Sequence, residues 1–175
     1  MKTSGLSDSD LVAYSGEHLL YELQMFVYAG RELARPHLAG PMRSVVIESF
    51  VIHLRNLIDF FFTTPTHDDD VAAVHFYPEW NEVMPHILKL ARDRANKELS
   101  HLTLQRKTGR HPDKPWDVAA LFRSVHQVAK RFVNKASPAK LSPEVSKWVN
   151  MSRSESIAVL SGLVTTNTAC SVILG

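Results

Sequence analysis

A single cysteine, Cys170, stands in a chain of 175 residues. It excludes an intrachain disulfide and fits a reducing compartment. Glycine is also scarce, with seven in the whole chain, and long stretches run without turn punctuation, as in helices joined by a few loops. Internal repeats, sustained heptad arrays and low-complexity tracts are absent. Met1 to Asp10 lacks the basic-then-apolar order of a signal peptide, so the expectation is a cytoplasmic protein. Neither sign of charge dominates: 20 Lys and Arg face 18 Asp and Glu, for a net charge of +2 and a pI near 8.7. That balance is compatible with a polyanionic partner without predicting one.

What is present is apolar residues at helical spacing. The 45% hydrophobic content is enough for one domain with its own core and too little for two. Val12, Leu19, Leu20, Leu23, Phe26, Val27 and Leu33 predict a first helix over about 9–35. After the Pro36–Pro41 turn, Val46, Ile47, Phe50, Val51, Leu54, Leu57, Ile58 and Phe61 form a broad apolar face over about 42–63, which marks a central helix. In the connector, Asp70 is expected to cap a short turn through Ala73. A third helix is expected to begin between Pro78 and Pro85 and to reach about Gln105. Arg106–Pro115 reads as a basic loop, about 116–134 as a fourth helix, and Ser142-Pro143-Glu144 as the start of a short fifth helix through Val149. The expected fold is therefore an all-α, four- to five-helix up-and-down bundle over 1–156. An irregular apolar tail at 157–175 belongs to the same domain. Gly162 and Thr165–Thr168 interrupt that tail, which argues against a membrane span and for two short strands or a helix packed on the bundle.

The third helix carries the chemistry. Leu88, Ala91, Ala95, Leu99 and Leu102 make one apolar stripe, and Val83, Ile87 and Leu90 make a second line that Arg94 and His101 continue. A helix apolar on two sides is usually covered on two sides, so a homodimer through this helix is expected. Arg94 and His101 are seven residues apart and share a helical face. One can hold phosphate charge and the other can move a proton, which is the minimum equipment for cleaving RNA without a metal. Arg92, Lys97, Arg106, Lys107, Arg110 and Lys114 add positive charge nearby. The alternative is a solvated arginine and a partly buried histidine. On the second helix, Glu48, Arg55 and Asp59 share a strip; Glu48 or Asp59 would orient His101 or pair with Arg94, or else Arg55 and Asp59 simply bond each other four residues apart. Phe76, Tyr77, Trp80 and Trp116 form either a partner surface or the closed end of the bundle. His67-Asp68-Asp69-Asp70 with His75 lacks the fixed geometry of a metal site, and no metal or cofactor is expected.

Glu48-Ser49-Phe50 and His53 to Phe61 on the central helix, followed by Asn96-Lys97-Glu98-Leu99-Ser100-His101-Leu102 on the next, resemble the HEPN superfamily over roughly residues 44–105. The resemblance implies a small helical bundle, commonly dimeric, and in many members a metal-independent endoribonuclease of toxin–antitoxin, abortive-infection or other defence systems. The family hallmark is an Arg, four to six residues and a His, met here at its upper limit by Arg94 and His101, with Asn96 and Lys97 as secondary donors. Ala95 stands where the family's arginine would directly precede Asn96, and Arg94 is displaced by one residue. The resemblance implies one of two function classes. One is an endoribonuclease acting on RNA and leaving a 2′,3′-cyclic phosphate. The other is a non-catalytic helical dimer serving as a binding or regulatory module, with a cognate antitoxin or regulatory protein as partner.

Overall fold

The computed structural model describes residues 5–98 and 116–151. Its architecture is an all-α bundle, with no strand among the described residues. The first helix is nearly continuous but built in three parts: α1 (Asp8–Tyr14), a π-helical segment (Ser15–Leu19) and α2 (Leu20–Leu33). Ser7 and Asp10 open it with a reciprocal capping box, the Ser7 hydroxyl accepting from the Asp10 amide and the Asp10 carboxylate accepting from the Ser7 amide at 2.9 Å. The π-helical segment lies where the helix meets Ser142, distant in the sequence. Ser15 is fully buried, donating its hydroxyl to the Val12 carbonyl and accepting from the Ser142 amide at 2.9 Å. A Cβ on the adjacent Gly16 would approach the Ser142 Oγ to 3.2 Å, so glycine permits this close approach.

Helix α3 (Gly40–Phe62) is the centre, as its broad apolar face predicts. Gly40, at φ +60°, turns the chain into it, a backbone conformation open to glycine at little cost. Phe50, Val51, His53, Leu54, Leu57, Ile58, Phe60 and Phe61 are all buried. Such burial around most of the circumference requires neighbours on several sides. On one side α2 packs along it, with Phe26 stacked on Phe50 at 4.9 Å between ring centroids. On others lie α5 (His86–Glu98) and α6 (Val118–Lys135). The α6 stripe Leu121, Val125, Val128, Ala129 and Phe132 is buried at helical spacing, and the Asp117 side chain caps the helix by accepting from the Ala120 amide. Ser142 caps α7 (Pro143–Asn150), with Pro143 in its first turn, as the sequence signal indicates.

Three expectations change, and one pair of alternatives is resolved. Asp70 does not cap the short helix α4 (Ala73–Phe76); its carboxylate accepts from the Thr66 and His67 amides, and those bonds, the one from His67 foremost, hold its pKa below the ordinary value. His75 takes the capping role, its Nδ1 accepting from the Ala72 amide at 3.0 Å. Phe76 and Trp80 are buried, in edge-on contact with Phe132, so these two aromatics close the bundle end rather than form a partner surface. The Trp80 indole N–H donates to the Phe61 carbonyl at 2.6 Å. Finally, the helix expected from between Pro78 and Pro85 starts at His86, which leaves Val83 ahead of it and strongly exposed. Leu90 is exposed too, whereas Ile87 leans on the core, so the second apolar line is broken. Leu99, Leu102 and the tail at 157–175 lie outside the described residues.

Candidate functional site

Helix α5 presents Leu88, Ala91 and Ala95 to the core, the three described members of its main stripe. That seam fixes the rotation of the helix and hence the directions of its charged side chains. Arg94 precedes Ala95 by one position, about 100° around the axis, and is half-buried, with its guanidinium carbon 4.1 Å from the centroid of the Trp116 ring. This cation–π contact joins α5 to the residue that leads into α6. Asn96 is half-buried and Lys97 exposed. His101, Arg106, Lys107, Arg110 and Lys114 lie outside the described residues.

Arg92 points elsewhere. Its Nη2 lies 2.7 Å from Asp59 Oδ1 and donates to the Thr63 hydroxyl at 3.1 Å, while Thr63 donates in turn to Asp59 at 3.2 Å. Arg55 approaches the other Asp59 oxygen at 3.7 Å, the intrahelical pair. Asp59 therefore serves Arg92 and Arg55 rather than Arg94, and Arg92, grouped by sequence with phosphate-binding cations, ties α5 to the end of α3. Glu48 is exposed on α3. The Nε of Arg92 and the indole N–H of Trp116 are buried without a hydrogen-bond partner among the described residues.

The Asp59–Arg92 pair forms one wall of a polar cleft of about 770 Å³ between the first helix, α3 and the loop after it. Tyr14, His18 and Glu22 line the opposite side. Behind Glu22 stands a pair that sequence reasoning missed: Glu22 Oε2 lies 2.7 Å from the Nδ1 of the buried His53. Burial first, and the Glu22 charge second, push the Tyr14 phenol above its ordinary pKa. Glu22 and His53 are 31 residues apart, and no local motif links them. The available signal was His53 itself, a polar residue set in the densest apolar stretch of α3. Because carboxylates accompany the guanidinium groups of this cleft, it offers no field of one sign for a polyanion. No three His, Cys, Asp or Glu side chains converge as metal ligands among the described residues, so His67, Asp68, Asp69, Asp70 and His75 do not gather into a centre. No described helix is long and apolar enough to cross a membrane.

Comparison of the chain with protein-family models, with curated proteins and with solved structures finds no match.

Proposed function

We propose that this chain is a HEPN-like helical domain that cleaves RNA without a metal, with Arg94 stabilising charge on phosphorus and His101 carrying the proton. The observation that supports the reading is the stack of Arg94 on Trp116, beside a seam packed by Ala91 and Ala95. A guanidinium whose rotamer is held by a ring loses less side-chain freedom on meeting a phosphate than one moving freely in solvent. In this reading the ribose 2′-oxygen attacks phosphorus as the bond to the 5′-oxygen breaks. His101 takes the 2′-hydroxyl proton as general base, or supplies a proton to the leaving 5′-oxygen as general acid, and two copies in a dimer divide the tasks. Asn96 and Lys97 act as secondary donors, and Arg106, Lys107, Arg110 and Lys114 attract the RNA backbone. The exposed Val83 and Leu90 supply the apolar contact for a homodimer through the α5 region. A cognate antitoxin or regulatory protein of a toxin- or defence-type system restrains the activity.

A second reading, a non-catalytic binding or regulatory module of the same fold, draws support from the engagement of Asp59 with Arg92. That contact takes up a carboxylate otherwise suited to orienting His101. Incubation of purified protein with single-stranded RNA in EDTA separates the two. The nuclease reading expects cleavage with 2′,3′-cyclic phosphate ends and intact DNA. The module reading expects no cleavage of any RNA.

A further inference from the structure

Helices α2, α6 and α7, with Phe50 of α3, enclose a groove of about 710 Å³ with an apolar floor. Phe26 and Phe122 stack at 6.3 Å along it, and Val27, Trp148 and Val149 complete the walls. His126, on the rim, is tied to the Val149 carbonyl at 3.0 Å, so α7 is fixed to α6 where the groove ends. Met151 also lines it. With Met151 in an extended conformation (ψ 145°) after α7, the chain leaves that helix at the edge of the groove itself.

We infer that the groove is the docking site for the chain's own segment Ile157–Val164. The residues in between, Ser152-Arg153-Ser154-Glu155-Ser156, are polar and span at most about 18 Å, at roughly 3.3–3.6 Å per residue. A tether of that length keeps the segment within reach of the floor. Its apolar members are Ile157, Val159, Leu160, Leu163 and Val164, and no Asp, Glu, Lys or Arg occurs from Ser156 to Gly175. An uncharged run of this kind gains by leaving water, at about 25 cal/mol per Å² of apolar surface removed. A short tether also raises the local concentration of the segment to the millimolar range, ahead of competing partners. The rim arginines, Arg31, Arg35 and Arg123, need not be desolvated by a neutral occupant lying along the floor. The docked segment would extend the core outward over Phe26, Phe50 and Phe122.

Cysteine pairs test this in the full-length chain with Cys170→Ser. Val27→Cys in the groove wall together with Leu160→Cys should form an intramolecular disulfide under mild oxidation at least tenfold faster than Lys89→Cys with Leu160→Cys. Hydrogen exchange of the unmodified chain supplies a reading that depends on no substitution: amides of 157–164 should exchange at least tenfold more slowly than those of 152–156. Equal crosslinking rates for the two pairs, or coil-like exchange across 157–164, would overturn the inference. Disulfide-linked dimers in place of the intramolecular product would overturn it too, because the occupant would then be a second copy.

Discussion

Substitution of Ser15 by alanine probes the junction between the π-helical segment and α7. Ser15 and Ser142 are both buried, at 0% and 2% exposure, and the hydroxyl–amide bond between them joins residues 127 apart in sequence. Removing the hydroxyl affects its two partners unequally. The Val12 carbonyl still accepts from the Ser15 backbone N–H, so its loss is small. The Ser142 N–H has no such substitute, and an unsatisfied buried donor costs about 1–3 kcal/mol. Alanine returns a few tenths of a kcal/mol through its higher helix propensity. The net expectation is a destabilisation of about 1–2.5 kcal/mol. In urea unfolding followed by circular dichroism, with a slope of about 1–3 kcal/mol per molar for a small domain, the midpoint should fall by roughly 0.3–2.5 M with the slope unchanged. A loss below about 0.5 kcal/mol would show that the Ser142 amide finds another partner and that the π-helical segment is not anchored through this bond.

The packing and the charges carry further consequences. Leu54→Ala, at a position 1% exposed on the central helix, should lower stability by about 2–5 kcal/mol in the same unfolding assay. The Glu82 carboxylate is bonded by Lys135 at 3.0 Å and Arg131 at 2.8 Å, and these bonds, that from Lys135 foremost, hold its pKa below the ordinary 4.5. A carboxyl with a depressed folded-state pKa contributes stability above its unfolded pKa and loses it as pH falls through the folded one. Glu82→Gln should therefore reduce stability by about 1 kcal/mol or less at neutral pH, since both cations are partly solvated, and should weaken the loss of stability below about pH 4.5. If Val83 and Leu90 join two copies, sedimentation should show a dimer whose Kd rises at least tenfold in Leu90→Glu; a wild-type monomer at high micromolar concentration would remove that proposal.

Features written in local patterns were legible before any coordinates. The apolar face of α3, the Leu88–Ala91–Ala95 stripe, the α6 stripe and the Ser142-Pro143 start all appear where helical periodicity and capping chemistry place them, because each depends on residues within a turn or two. Features that depend on how one helix is rotated against another were not legible. The Glu22–His53 pair, the choice of Arg92 over Arg94 by Asp59, and the stack of Arg94 on Trp116 each need the register between distant elements. Val83 misled for a local reason: Pro85 falls in the Met84–Pro85 stretch directly before His86, so helical spacing drawn through Val83 began too early. The π-helical segment had no clear sequence sign beyond Gly16, since the contact it makes with Ser142 joins residues distant in sequence.

The central functional claim rests on His101 and Arg94, and a single comparison tests it most directly: cleavage of a single-stranded RNA pool in EDTA by wild type and by His101→Ala, with product ends analysed. The account predicts 2′,3′-cyclic phosphate ends from the wild type and a rate about 100-fold or more lower for His101→Ala, the usual contribution of a positioned proton-transfer group. Arg94→Ala should lose a similar factor through the missing charge stabilisation. Undiminished cleavage by His101→Ala, or no cleavage by the wild type, would contradict the nuclease reading, and the second outcome would leave the binding module as the function of this fold.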